Sequence, residues 1–343
     1  MTVAAFAARL DALPRPAPGL EPEPEIALSI AYLASPEALA SLEADSYWPK
    51  WHSPWWHMVL LRERGQAARI PRAATEAMVS ALDRLPVKIF PIEPGEMPTG
   101  LDPGRHASCH CALGCMAPLL LECGIDTDRA LPWVRDWFVR YQMADGGLNC
   151  DDAAYRVTNE TPSSMVGTIA PFEAMLALTE RSARPEDLAF LDRAAAFLVT
   201  RRLARGSDTV QNAEERSSAP DWRLPTFPRF YFYDVLRGLA ALAAWAERFR
   251  RPLPLSIVAE VVDDLAARDA DGRIRVARRA FDGKQTRTRS PSGEWATQRS
   301  PASTFPLLDA SSRIGEPSAP LTRQWQATLA RLRDLAGLGL LVD

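Results

Sequence analysis

The stretch CALGCMAPLLLECGIDTDRALPWVRDWFVRYQ, residues 111–142, sets the pattern on which the whole chain is built. Its first half is apolar on nearly every side, which suits a helix covered all round by other helices. Its second half has a helical stripe of Leu131, Val134 and Phe138, with Arg135, Asp136 and Arg140 free to face water. Between the halves stands Glu122. The same form recurs in SPWWHMVLLRERG before RIPRAATEAMVSALDRL, in SSMVGTIAPFEAMLALTERS before DLAFLDRAAAFLVTRRL, and in FYFYDVLRGLAALAAWAERF before LPLSIVAEVVDDLAARD. The corresponding glutamates, Glu63, Glu122, Glu180 and Glu247, are spaced by 59, 58 and 67 residues.

A period of roughly sixty residues that holds one buried and one amphipathic helix is the signature of a helical repeat. Half units at the start (PEIALSIAYLASPEALASLEA) and the end (TRQWQATLARLRDLAGLG) bring the count to about five hairpins. The expected architecture is all-α: an α/α toroid of inner and outer helix layers around a central cavity, with residues 1–343 as one domain. Residues 1–24 read as an irregular N-terminal segment, and the one short strand signal is GRIRVARRAF, 272–281. Loops rich in Pro, Gly and Ser at 86–105, 205–229 and 282–320 each follow an outer helix and precede an inner one. In a closed ring they gather at one rim, where ligand sites are favoured.

Composition excludes several classes. A formal net charge of −3 and 24% charged residues give no nucleic-acid footprint. The first twenty residues carry Arg9 and Asp11 inside their apolar stretch, so neither a signal peptide nor a membrane span is read there, and the expected location is cytoplasmic. Five cysteines in 343 residues point to reduced thiols rather than a disulfide framework. No phosphate-cradling glycine loop, His-Glu-x-x-His or Gly-x-Ser-x-Gly motif is present.

Chemistry concentrates in residues 52–150, which hold all four histidines and all five cysteines. RHASCHCALGCM, residues 105–116, is the densest part. If an inner helix begins near His106, then His106, Cys109 and His110 project from one face at i, i+3 and i+4, while Cys111 and Cys115 pair on another. Imidazole nitrogen and thiolate sulfur together suit zinc. The competing reading is that these cysteines are small hydrophobes of a tight helix and the histidines bond locally. Asp151 and Asp152 are adjacent, and like charges side by side raise one pKa toward general-acid work; a solvated loop explains them equally. Asp234 lies in an apolar helix and needs a partner, for which Arg237 at i+3 is at hand. Trp48, Trp51, Trp55, Trp56 and His57, with Tyr231, Phe232 and Tyr233, supply aromatic faces for either a pocket or the core. The arginine-rich 273–289 reads as a solvated loop or as a site for a diphosphate or other polyanion.

VRYQMADGGLNCDDAAY resembles the Gln-x-x-x-Asp-Gly-Gly turn that ends outer helices in the terpenoid cyclase and protein prenyltransferase toroids, with Gln142, Asp145, Gly146 and Gly147 in the matching places. RDADGRIRV is a weaker copy with Asp271 and Gly272. FPRFYFYDVLRGLAALA and GEPSAPLTRQWQATLARLRDL are similar to bacterial prenyltransferase-like toroids of unassigned chemistry, so the resemblance covers most of the chain from about residue 45 onward. It implies a prenyltransferase-like or cyclase-like transferase acting on an apolar, isoprenoid-derived substrate. HASCHCALG is similar to the zinc-binding segment of prenyltransferase β subunits. Where that family has its Asp-x-Cys ligands this chain reads ETPSSMVG, so Cys150, with Asp151 or Asp152, is the substitute. The implied site has His106, Cys109, His110 and Cys150 on zinc, Asp151, Asp152 and Asp234 as catalytic or pocket carboxylates, and Trp55, Trp56, His57, Tyr231 and Tyr233 around the substrate. The Asp-x-Asp-Asp and Asp-Asp-x-x-Asp motifs of terpene cyclases are absent. Two alternatives therefore stand beside it: a non-catalytic toroid that binds a protein or small molecule, and a zinc enzyme of other chemistry.

Overall fold

A computed structural model describes residues 1–50, 52–90, 95–101, 106–289 and 295–343, with 285–289 and 295–301 described through the backbone alone. The chain is mostly helical. In order come α1 (Val3–Ala12), α2 (Glu23–Leu33), α3 (Pro36–Ala44), α4 (Trp55–Glu63), α5 (Arg72–Asp83), α6 (His110–Glu122), α7 (Thr127–Ala130) and α8 (Trp133–Arg140). They are followed by α9 (Met165–Leu178), α10 (Pro185–Thr200), α11 (Ala213–Ser218), α12 (Val235–Phe249), α13 (Leu255–Arg268), α14 (Pro306–Ser311) and α15 (Ala319–Gly337). Each repeat segment read from the sequence is a helix pair: α4 with α5, α6 with α8, α9 with α10, α12 with α13. One continuous apolar cluster runs from Phe6 to Leu341.

Side-chain type decides which helix goes inside. The α6 helix is buried from His110 to Leu120, and α9 exposes little besides Val166, Glu173, Leu176 and Ala177, as expected for helices without a polar face. These helices pack in succession, α4 on α6, α6 on α9, α9 on α12 and α12 on α15. The α15 helix then returns to the end of α4, where Arg323 donates to the Arg64 carbonyl at 3.1 Å. The tightest contact is between α6 and α9. Gly114 makes it possible, since a Cβ there would lie 2.5 Å from the Ala170 carbonyl carbon and 2.6 Å from the Pro171 nitrogen.

The Gln142 turn has a structural reason of its own. Gly146 has φ +92°, and a Cβ on it would meet the Arg193 carbonyl oxygen. Gln142 donates to the carbonyls of Gly146 and Phe190 and accepts from Arg193, which ties the end of α8 to α10.

Several expectations are corrected. Residues 1–24 are irregular only over 13–22: Thr2 caps α1, whose Phe6 and Leu10 are buried, and α1 packs on α15. The start of the chain also holds two helices, α2 and α3, where one half unit was expected. Arg135 does not face water. It is 5% exposed because Asp128, Asp187 and the carbonyls of Leu178 and Ser182 surround its guanidinium. The strand expected at 272–281 consists of isolated bridges, Thr226 with Arg278 and Arg275 with Pro317, whereas an antiparallel pair, β2 (Gln285–Arg289) and β3 (Trp295–Pro301), lies further on. A second two-stranded sheet pairs β1 (Leu253–Pro254) with β4 (Leu341–Val342) in parallel. In the arginine-rich stretch Arg275 pairs with Asp269 and Asp271, and Arg279 with Asp282, so two of its arginines are matched by local carboxylates.

Replacing Gly114 with Ala forces α6 and α9 apart and is expected to cost about 1–3 kcal/mol in urea denaturation. Gly337→Ala, at an exposed position with no neighbour within 4 Å, is expected to be neutral or to add up to about 1 kcal/mol.

Candidate functional site

The α6 helix begins at His110, so Cys109 is its N-cap, in extended backbone at φ −133° and ψ 160°. Residues outside a helix do not follow its 100° step, and Cys109 and Cys111 can therefore turn the same way. Their sulfurs are 3.4 Å apart. Cys150 arrives from the segment after the Gly146 turn, where Ser164 donates to the Leu148 carbonyl and Asn149 holds the Pro162 carbonyl. The Cys111 amide donates to the Cys150 sulfur at 3.3 Å, and the three sulfurs lie within 4.8 Å of one another.

This cluster sits in the wall of a cavity of about 400 Å³. Tyr47, Trp48, Phe90 and Met116 give it an apolar face, and Asp45, Lys50, Asp151 and Asp152 give it charge. Lys50 Nζ stands 4.5 Å from the Tyr231 ring centre and 5.5 Å from that of Tyr47. Hydrogen bonds from Cys111 and Cys150, with help from Lys50, hold the Cys109 thiol well below its usual range. The same bonds to Cys109 push Cys111 and Cys150 up, and burial adds to it. Three sulfurs this close, one of them with its pKa lowered, are a donor set that a soft cation could complete.

The histidines do not join this group. His110 is fully buried, and both ring nitrogens are used: Nδ1 accepts from Trp137 Nε1 at 2.8 Å, and Nε2 lies 3.0 Å from the Tyr155 hydroxyl. That hydroxyl donates to the Tyr141 carbonyl, so it accepts from His110, and the imidazole is the neutral Nε2–H tautomer. The expectation that His110 faces a metal is therefore corrected. His106 also stands outside the gathered ligand atoms, its carbonyl accepting from Val87. Cys111, expected to face away, takes the place assigned to the histidines.

Asp151 and Asp152 reach the thiol cavity, each already engaged. Asp151 caps the short turn at Ala153, and Asp152 pairs with Arg156 at 2.5 Å. Asp234 does not reach it. Asp234 is fully buried as the N-cap of α12, accepting from the Arg237 and Thr226 amides and from Arg229 at 2.7 Å. Arg237, its expected partner, instead pairs its side chain with Glu173. The Asp234 role is structural, because every lone pair that faces the protein has a donor.

Of the aromatics expected around a substrate, Trp55, Trp56, Tyr231 and Tyr233 are buried in the core, while Trp56 and the half-buried His57 line a small cavity separate from that of the thiols. Trp55 packs on Tyr47 and Trp56, and Trp56 meets Phe230 edge-on at 4.1 Å. His57 stacks on Phe305 and accepts or donates at Ser29 through Nδ1. Tyr233 donates to the Leu203 carbonyl, and Tyr231 stands beside Lys50, whose Nζ is 4.5 Å from its ring centre, and near enough to Cys109, Cys111 and Cys150 for their charge to raise its pKa. Trp51 lies outside the described residues. Tyr47, Lys50 and Phe90 were missed. No periodicity marks them, because they come from connections between helices.

No family model matches the chain, and no curated protein or solved structure matches it either.

Burial lowers the pKa of both His57 and His110 to about 4. The unfolded chain binds these protons first, near pH 6.5, so stability falls as pH drops from about 6.5 to about 4, by on the order of 2–3 kcal/mol for each imidazole. Above pH 7 neither group contributes a slope. Urea midpoints measured across this window are expected to fall, and His57→Gln or His110→Gln is expected to flatten the fall.

Proposed function

We propose that the chain is an α/α toroid whose Cys109, Cys111 and Cys150 hold a zinc ion, and that it is a prenyltransferase-like or cyclase-like enzyme acting on an apolar substrate in the adjoining cavity. The observation that carries this reading is the meeting of three sulfurs within 4.8 Å in the wall of a cavity of about 400 Å³. Ligand cavities of this size that are mostly apolar with a few convergent polar groups are where small-molecule chemistry is placed. The toroid is supported by the succession α4, α6, α9, α12, α15 and by the return of Arg323 to Arg64.

The donor set suits zinc. Three thiolates are soft ligands that leave one tetrahedral position for a substrate or water, and zinc in such a place activates a thiolate or water as nucleophile. Asp151 is the nearby carboxylate for a fourth ligand or a proton. Tyr47 and Tyr231 keep their protons, since burial raises both well above the usual phenol range, and so can donate but not compete for the metal. Three aspartates against one lysine on the wall disfavour a substrate that carries a diphosphate. Within this reading the wall favours an apolar substrate without a diphosphate, and a zinc enzyme of other chemistry on the same toroid is the second reading that this balance supports.

Protein purified without added metal is expected to carry about one equivalent of zinc, lost in Cys109→Ser and Cys150→Ser; less than about 0.2 equivalents in the unaltered chain rejects the metal reading. Both variants are expected to stay folded, because each exchange is nearly isosteric. Cobalt exchanged into the unaltered chain is expected to give sulfur-to-metal charge-transfer absorption, absent from the variants.

A further inference from the structure

A second cavity, of about 210 Å³, shares no lining residue with the thiol cavity. Its wall comes from α4, α6, α9, α15 and α12 with the loop before it, and it alternates in charge: Arg62, Arg229 and Arg237 against Glu63, Glu122 and Glu173. Most of these groups are already committed. Arg237 makes a two-pronged pair with Glu173 and donates to the carbonyls of Phe230 and Phe232. Arg229 holds Asp234 and the Gln324 amide oxygen, and Glu63 accepts the backbone amides of Arg229 and Phe230.

Arg62 is different. Its Nε donates to Glu122 Oε1 at 2.9 Å, and its two Nη groups have no partner among the described residues, although its side chain is only 19% exposed. Gln324 uses its oxygen on Arg229 and leaves its Nε2 donors unmatched among the described residues. Glu122 Oε2 likewise receives no hydrogen bond there. An arginine fork and an amide with open donors, beside a carboxylate with an open acceptor oxygen, form a dipolar set that water reaches and that a ligand can engage in its place.

We propose that this cavity binds a small zwitterion of the free α-amino-acid class, its carboxylate on the Arg62 fork and the Gln324 amide and its ammonium on Glu122. The three arginines and three glutamates of the wall balance, so a lone anion or a lone cation would leave a net charge in a half-enclosed cavity, which is disfavoured. A neutral apolar ligand would leave the Arg62 donors unmatched. A zwitterion meets both needs without changing the charge of the site, and a planar carboxylate matches a guanidinium fork. Phe227 and Pro320 supply the apolar wall, so a small apolar side chain fits, of the alanine, valine or proline kind.

The test is thermal unfolding of the full chain with L-alanine, L-valine or L-proline at about 10 mM, in which at least one raises the midpoint by about 2 °C or more. N-acetylalanine and alaninamide, each with a single charge, give no shift, and Arg62→Gln removes the shift. Gln324→Met, which preserves the size of the side chain, weakens the same ligand roughly five- to tenfold in calorimetric titration. The proposal is overturned if none of the three amino acids moves the midpoint, if N-acetylalanine or alaninamide matches them, or if the response survives in either variant unchanged.

Discussion

The pairing of Asp234 with Arg229 is the interaction on which the helical assembly turns. A carboxylate fully out of water is tolerated only when its oxygens are met by donors, and here two amides and a guanidinium meet them. Through that arrangement one residue starts α12, anchors the preceding loop and orients an arginine that reaches Gln324 of α15. The same loop turns its Arg229 and Phe230 amides to Glu63 at the end of α4, with Phe230 in the left-handed region at φ 53°. Three helices far apart in sequence are thus joined by one set of charges. The apolar faces of α4, α12 and α15 supply area, but area alone does not choose a register, and these bonds do.

Confining charge to a few satisfied clusters leaves the wall of the thiol cavity free for other demands. Its sulfurs come from a helix cap, the first turn of that helix and a loop held by Asn149 and Ser164. Behind them His110, Trp137, Tyr155 and Tyr141 form a closed chain of hydrogen bonds that fixes the tautomer of the imidazole and the direction of α6. The histidine serves the site by holding the helix start in place, at one remove from the sulfurs.

Much of the helical pattern was legible in the sequence because apolar and amphipathic runs of this length have one physical solution each. Every repeat segment is the helix pair that its periodicity implied. Local chemistry was less legible, for a definable reason. The reading of His106, Cys109 and His110 as one face assumed a helix from His106, while α6 starts at His110 and leaves Cys109 in extended backbone. A shift of four residues in a helix start rotates the whole set of candidate ligands, and it exchanged His110 for Cys111. Arg135 shows the complementary limit. Its position in the stripe pattern said solvent, but Asp187, distant in sequence, made its burial favourable. Tyr47 and Lys50 lie in a connection, where no period exists to read.

The choice of residue at position 109 bears on what the site is for. The α9, α12 and α15 helices start on Ser164, Asp234 and Ser318, each with an oxygen that accepts a first-turn amide. Cys109 offers no oxygen and makes no cap bond of normal geometry, the Ala112 amide only helping to hold its thiol pKa down. Serine there would differ by one atom and stabilise the helix start by about 1 kcal/mol, the usual worth of a good cap over a poor one. Packing gives no reason to prefer sulfur at a half-buried helix start. Proximity to two further sulfurs does, since a serine oxygen would neither share a proton with Cys111 and Cys150 as readily nor bind a soft cation. The thiol cluster thus lies where the fold gives up a little stability, at a helix start whose capping oxygen is replaced by a sulfur that could hold a soft cation.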